Sequence, residues 1–581
     1  MSPAVSVRLF NTPVFPVAEI LVSGNVLLRL RGSSASERAS LLVDTLQRAL
    51  LFGLSPDAIA VIKVKGGFQV TLSGQTLLVA DRIEARRAKS LPASLANHWA
   101  SQIRSVLSQP SLAVEATDCL VAVGETYRLT LLGSAKGPIT VQIIPDHIAA
   151  AGSDEPSSTV YIKGVAPGRG RVIISRQNRS LQLPLRVAHR AVRVAQPPTA
   201  FVSGSTVPLR LLTEAVENAL RLSLETRLGA EWAYDPPTVN GSIPGSLILR
   251  VRASGPDLLP FDQPIALSIR PFSQTPGDAK ALVISNDPET FYEPGSLLQG
   301  SIAPSFTIRL LSHHRNGMNR TVHLALQIIN ASDVPTWISL RGSVSGPAQS
   351  ELSVGHIATR DYLTSLMSDS AIRLQIPPQT VYSLFPMAMG PGLTATHILD
   401  IRNEDGSQLF YRLMASPRPV PKVSPLEGSS LSDLFGINDY HARFVETTKE
   451  VEGTHRAGQR WTYISIGKDG IRHPDGIKRL QGNYGVIYRV RLHFVNETDR
   501  VHLATAEVEA AGGVARGALV VDGRLVQLPT LQSHQRWPLT SFELNPGERR
   551  TVSLVTLPAP GSFYPLHIIG RTDRKPTGGS Q

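Results

Sequence analysis

One cysteine, Cys119, stands in a chain of 581 residues, which excludes an internal disulfide framework and any metal centre built from clustered thiolates. Its setting, "EATDCLVAVGETY", lacks a neighbouring basic residue or histidine that would stabilise a thiolate, so a buried, unreactive thiol is expected. Aromatic residues make up only 6%, too few for the stacking platforms on which single-stranded nucleic acids bind. No apolar run approaches the roughly 18 residues of a membrane-spanning helix. The opening "MSPAVSVRLFNTPVFPV" has no basic segment followed by an apolar core, so no signal peptide is visible in it. Motifs for common chemistries are missing as well. There is no GxSxG elbow, no HExxH, no Walker lysine loop and no EF-hand calcium loop, which removes the usual hydrolase, zinc-protease and nucleotide-binding readings.

The chain is rich in turn formers: 46 Gly and 43 Pro punctuate a composition that is 42% hydrophobic and 18% charged. Short strands separated by many turns fit this better than long helices or disorder. The length exceeds what one core supports and predicts about four domains. The formal charge of +12 favours acidic partners in principle. Its carriers are dispersed, however, with small concentrations at Arg82 to Lys89 and Arg169 to Arg179 and no interleaved aromatics, which argues against specific nucleic-acid binding.

The expected fold class is multi-domain and mainly β, with β-sandwich (Ig-like) domains and two small α+β domains. Residues 19–108 read as an α+β module. Leu42, Leu46 and Leu50 repeat at i+4, as do Leu95, Trp99, Ile103 and Leu107 behind Ser90 and Pro92, which sit as a helix start would place them. Its "RLRGSSASERASLLVDTLQRAL" and "LANHWASQIRSVL" resemble a module that precedes the channel part of some bacterial mechanosensitive-channel-family proteins, a resemblance that implies an envelope setting and no chemistry. Residues 111–189 read as strands only. "VAVGETYRLTLLG" followed by "VYIKGVAPGRGRVIIS" resembles bacterial immunoglobulin-like domains of surface proteins. Gly164, Gly168 and Gly170 there read as hairpin turn residues, because no helix follows them to make a phosphate loop.

Residues 191–272 carry one helix, capped by Ser205 or Thr206 with Pro208 in its first turn, and an i+4 stripe of Leu212, Val216, Leu220, Leu224 and Leu228. Gln274 to Lys280 reads as a boundary. Two β-sandwiches follow, 282–415 and 453–571, joined by a Pro-rich linker and connecting segment, 416–452, whose prolines predict an extended, solvated chain. The sandwiches read as related. "LALQIINASD" (Leu324 to Asp333) recurs as "VRLHFVNETD" (Val490 to Asp499), and downstream Pro-turn, strand and Pro-Gly-turn segments match at an offset of about 167 residues, as a duplication would leave them. The register places Leu326 with Leu492 and Pro378 with Pro546. "GNYGVIYRVRLHFVNETDR" followed by "EVEAAGGVARGALVVDG" resembles a C-terminal sandwich of uncharacterised bacterial secreted proteins, which implies no activity.

Asn178, Asn240, Asn319, Asn330 and Asn496 all stand in Asn-x-Ser/Thr. For Asn330 and Asn496 the preferred reading is a turn, since the side chain can bond the backbone two residues ahead. His313 and His314, in what reads as a polar loop after a strand, are the best metal candidates, though adjacent imidazoles rarely chelate one ion. His455, His473 and His493 read as surface residues. Asp287 and Glu289 are one possible carboxylate pair for glycoside hydrolysis. Trp461, Tyr484 and Trp537, with Trp337 and Tyr463, are ligand-binding candidates, because flat rings stack on the apolar face of a pyranose. No catalytic residue and no cofactor is expected. The function expected is a non-catalytic, extracytoplasmic scaffold or adhesion protein whose partner is a protein or a cell-envelope polymer. A carbohydrate-binding or carbohydrate-processing protein is the alternative.

Overall fold

The computed structural model describes residues 5–11, 15–238, 243–274, 277–404, 406–426, 439 and 442–574. The chain is mainly β and multi-domain, with several sheets and a few helices. It divides into two compact units, the first dominated by residues 1–193 and the second by residues 263–581 together with 194–225 and 234–251.

In the first unit, two three-stranded antiparallel sheets, Val5–Asn11 with Pro16–Val22 and Asn25–Arg31, and Ile59–Val64 with Gly67–Leu72 and Gln75–Asp81, share one apolar core with the helices Ala35–Leu51 and Pro92–Leu107. The leucine stripes face that core. Leu42, Leu46 and Leu50 are buried on one helix, and Leu95, Trp99, Ile103 and Leu107 on the other. Pro92 opens its helix as the sequence predicts, but the cap position is Leu91 and no side chain caps it. A second core belongs to a sandwich with one sheet of three strands and one of four, and Cys119 is fully buried in it. Gly168 and Gly170 lie within the strand Gly168–Arg176 rather than in a turn. A Cβ on Gly170 would fall 2.2 Å from the Ile144 carbonyl oxygen, so close packing between chain segments accounts for this glycine.

The second unit is built on a long sheet in which Phe261–Arg270, Thr199–Ser203, Ala371–Ile376, Thr336–Ala348, Thr394–Asn403, Thr307–Asn316 and Ala281–Ser285 lie side by side. The strands of region 191–272 therefore continue the sheet of the following sandwich. The helix Leu209–Ser223 lies against this sheet and buries Leu212, Val216 and Leu220. It differs from expectation at both ends. Pro208 occupies the cap position with no side-chain cap, and Leu228, meant to extend the stripe, is fully exposed beyond the helix.

A five-stranded sheet, Gly295–Ile302, Leu409–Ser416, Val322–Asn330, Thr380–Met389 and Val423–Pro425, completes the sandwich. Part of the Pro-rich linker is thus an edge strand. Within it Lys422 is buried and ion-paired to Glu214, because a short strand on the sheet edge gives that lysine a protected partner. Residues 427–438, 440 and 441 of the linker lie outside the described residues, as do Asn240, Thr275 and Pro276.

The C-terminal sandwich repeats this strand order. Arg536–Leu544, His502–Ala510, Leu566–Arg574 and Thr462–Ile466 follow one another as Ala371–Ile376, Thr336–Ala348, Thr394–Asn403 and Thr307–Asn316 do in the long sheet. Ile487–Val495 pairs antiparallel with Arg549–Thr556 as Val322–Asn330 pairs with Thr380–Met389. The ladders agree apart from a bulge between Leu324 and Leu326 that the second pair lacks. Leu326 faces Leu384 and Leu492 faces Val552, while Thr336 faces Ile376 and His502 faces Leu544. The flanks differ: Val423–Pro425 lies beside Thr380–Met389, whereas Ala518–Val521 lies beside Arg549–Thr556. On the other side of Val322–Asn330 lies the antiparallel Leu409–Ser416, whereas beside Ile487–Val495 lies the parallel strand Thr448–Arg456. We propose that the two sandwiches arose by duplication, with this slot refilled from the N-terminal side.

A helix that sequence periodicity did not announce, Glu351–Met367, packs on Thr336–Ala348 and Thr394–Asn403. One buried apolar cluster runs from Leu282, Leu311, Tyr362 and Ile398 to Val490, Leu519 and Ile568, so both sandwiches share a core. Arg309 fastens them. It is fully buried, its Nε donates to Asp400 at 2.8 Å, and its Nη1 donates to the carbonyls of Thr447 at 2.9 Å and Gly485 at 3.2 Å. Its guanidinium lies 5.5 Å from the Tyr362 ring. Burial works against the charge, and Asp400 outweighs it, holding the pKa above its ordinary value.

Candidate functional site

The histidine pair lies inside the strand Thr307–Asn316, not in a loop after it, and both rings are buried. A strand alternates its side chains, so the two rings part. His313 Nδ1 lies 2.7 Å from Thr396 Oγ1, and its Nε2 lies 3.1 Å from Glu289, near enough for an ion pair though not aligned as a hydrogen bond. His314 is held by Ser285 Oγ at 2.8 Å and the Pro288 carbonyl at 3.2 Å, and burial lowers its pKa to about 4. A third buried ring, His397, bonds Ser312 at 2.8 Å and has its pKa lowered by burial to about 3. Among the described residues no group of three or more His, Cys, Asp or Glu could hold a metal ion.

The structure does bring His313 and Tyr484 together. Both line a cleft of about 250 Å³ with Glu289, Glu351, Asn286 and Ser562. Tyr484 donates to the Ser562 carbonyl at 2.8 Å and meets Tyr564 edge-on at 5.8 Å, and burial raises its pKa. Each acid is matched. The His313 imidazole 3.1 Å away holds the Glu289 carboxyl below its usual range, and Glu351 pairs with Arg315 at 3.0 Å. The sequence partner of Glu289, Asp287, is exposed and does not join the lining. Glycoside hydrolysis needs one carboxyl kept protonated, and the depressed pKa of Glu289 suits the opposite role. Glu351 and the loop 560–563 escaped the sequence reading because they enter through the unexpected helix and a turn some 200 residues apart.

Trp461 and Trp537 are elsewhere. Just before the strand Thr462–Ile466, Trp461 carries the Arg460 guanidinium 4.1 Å and the Arg536 guanidinium 4.6 Å from its ring centre, with Tyr463 edge-on at 6.1 Å. Arg536 also pairs with the buried Glu509. A pyranose stacking on Trp461 must compete with these guanidinium groups. Trp537 is 41% exposed on an edge strand. Trp337 is flanked by Phe201 at 5.6 Å and by Arg373 at 4.4 Å. The five aromatic candidates thus do not converge on one surface.

Two expected surface histidines are interior. His455 is fully buried between Thr462 and Thr572, each 3.2 Å away, and His473 is buried against the Phe444 ring at 5.4 Å. In both cases a hydroxyl, carboxylate or ring satisfies the imidazole inside the protein, which the sequence does not display. His493 stays on the outward side of its strand, bonded to Thr551 at 2.9 Å.

The asparagines answer as turn residues. Asn330 is fully buried, and its Nδ2 donates to the carbonyls of Val334 at 2.8 Å, Ile376 at 3.2 Å and Pro377 at 3.1 Å, while its Oδ1 accepts from the Ser332 amide at 3.1 Å and hydroxyl at 2.7 Å. Asn496 repeats the pattern with Arg500 and Leu544 at 2.7 and 2.9 Å and with Thr498. Asn316 and Asn403 use the same bond to the carbonyl four residues on, at 2.8 and 2.9 Å. A fully buried amide is closed to glycosylation in the folded chain. Asn178 and Asn319 are exposed.

No protein family and no curated protein matches the sequence. Among solved structures, domains 4 and 5 of the S-layer protein SbsC are similar at 22% identity over 14% of this chain and 46% of that one, under half its length, with a TM-score of 0.13. Domains 5–6 of the same protein match at 13% identity over 28% of this chain and 99% of that one, with a TM-score of 0.13. The tandem Ig repeats of Dlar match at 8% identity over 28% and 100%, with a TM-score of 0.14. Scores of this size carry no argument about function.

Proposed function

We propose that the chain is a non-catalytic scaffold or adhesion protein of the cell envelope or its exterior, acting through its β-sandwich modules on a protein or envelope-polymer partner. The observation that supports this most is the Arg309 fastening: a fully buried guanidinium bridges Asp400 of one sandwich and the Thr447 and Gly485 carbonyls at the start of the next, above a shared apolar core. Such a joint holds neighbouring modules as one load-bearing body, which a scaffold requires and a single-site enzyme does not. The side chains best suited to chemistry are likewise occupied in structural contacts. The extracytoplasmic setting rests on the sequence resemblances of the N-terminal and Ig-like regions.

Cosedimentation of the purified chain with isolated cell-wall sacculi tests this reading, with reducing sugar measured in the same supernatant. Saturable binding without sugar release is expected. Sugar release above that of a heat-denatured control contradicts the non-catalytic reading, and failure to bind any envelope fraction contradicts the setting. The exposure of Tyr463 beside Trp461 favours carbohydrate binding as a second reading. Under it, Trp461→Ala abolishes binding to a soluble glycan while leaving the melting temperature in place.

A further inference from the structure

A cavity of about 370 Å³ lies where the N-terminal end of the helix Leu209–Ser223 meets the strand Thr336–Ala348 and the helix Glu351–Met367. Three features of its wall point to an anion. The helix end that forms one side has no side-chain cap; the amides of Leu211 and Leu212 turn back to the Pro208 carbonyl, which leaves those of Leu209 and Arg210 for an outside acceptor. Arg210 lines the cavity, its guanidinium donates to the Gly346 carbonyl, and no carboxylate among the described residues pairs with it. Ser345 is 5% exposed, lines the same cavity, and its hydroxyl has no hydrogen-bond partner among the described residues.

The remaining wall limits the kind of anion. Asp361 is present but already paired with Arg360 at 2.6 Å, so the local excess is one positive charge, matching a singly charged group better than a phosphate dianion. Leu209, Val344 and Ile357 supply an apolar side, with Leu209 and Ile357 partly exposed at the rim. A planar carboxylate accepts two hydrogen bonds from a guanidinium fork and further bonds from amides and a hydroxyl, and an aliphatic body removes the apolar rim from water. We propose that this cavity binds a small aliphatic carboxylate, its acid group held by Arg210, Ser345 and the uncapped helix end and its alkyl part against Leu209, Val344 and Ile357. The site is independent of the scaffold reading, and its failure leaves that reading untouched.

Ligand-observed NMR on the full chain, with hexanoate as the probe and hexan-1-ol, hexylamine and inorganic phosphate as comparisons, provides the test. Saturable hexanoate binding is expected, weakened at least tenfold in Arg210→Gln and severalfold in Ser345→Ala, with no saturable binding of the alcohol or the amine. Arg210 is solvent-exposed and its replacement should leave the melting temperature unchanged; Ser345→Ala gives an independent reading of the same site. Equal hexanoate binding by wild type and Arg210→Gln, absence of saturable binding by wild type, or phosphate binding in place of hexanoate overturns the proposal.

Discussion

At the scale of single residues, buried asparagines tie strand ends to neighbouring segments through both ends of the amide. Asn330 and Asn496 each close a strand end with both ends of the amide. Removing either leaves several interior carbonyls without a donor, so Asn330→Ala or Asn496→Ala should destabilise the second unit by about 2–3 kcal/mol in urea unfolding, and no ligand affinity should change selectively. Cys119 illustrates the opposite case. It is fully buried, and burial followed by the charge of Asp118 pushes its thiol up to about 11. Maleimide labelling at neutral pH should need denaturant, and rapid modification of the native chain would contradict the burial.

The buried histidines carry a pH dependence with a defined sign. His314 and His397 have folded pKa values lowered to about 4 and about 3, while an unfolded imidazole titrates near ~6.5. Between those values the unfolded chain binds protons that the native chain refuses, so the histidine contribution to stability falls as pH drops from about 6.5 to about 4 for His314 and to about 3 for His397, and is level above that window. His314 faces Ser285, the Pro288 carbonyl, Phe291 and Glu289; His397 faces Ser312 and Phe385, with the Arg210 charge also disfavouring its protonation. Glu214, whose pKa is raised by burial, works in the opposite direction. Melting curves of wild type and His397→Gln across this range check the assignment: the variant should lose part of the acid-side slope, and an unchanged slope would remove His397 from the account.

At the scale of elements, the alternating strands were legible because one face of each is apolar and the other polar, so a one-residue slip would expose a whole row. Val490, Leu492 and Phe494 are buried while Arg491 and His493 are not. The helix Glu351–Met367 was not legible for the converse reason. It is covered on several sides, burying Gly355, His356, Thr359 and Ser365 beside Val354, Ala358 and Tyr362, so its pattern lacks a clean apolar stripe. The cleft shared by His313 and Tyr484 was hidden with it, since Glu351 and the loop 560–563 come together only once that helix is in place. A substitution tests the packing directly. A Cβ on Gly355 would lie 1.8 Å from the Pro560 carbonyl oxygen, so Gly355→Ala should force the loop from the helix and lower stability by roughly 1–3 kcal/mol.

At the scale of the whole molecule, the central claim is that the two C-terminal sandwiches are held together as one body by a shared apolar core, with Arg309 as the principal polar fastening. Replacing it by methionine removes the 2.8 Å partner of the buried Asp400 and leaves it beside Tyr362 with Arg341 at 3.8 Å, and breaking a buried pair in this way costs about 3–5 kcal/mol. Hydrogen exchange read by mass spectrometry on the full chain measures this in both sandwiches at once, through peptides covering Val322–Asn330 and Ile487–Val495. In the wild type the two strands should exchange through a common opening with equal protection. In Arg309→Met protection should drop by at least a hundredfold and the two strands should separate in rate. Equal protection of both strands in the variant at the wild-type level would contradict the fastening and, with it, the rigid scaffold built on it.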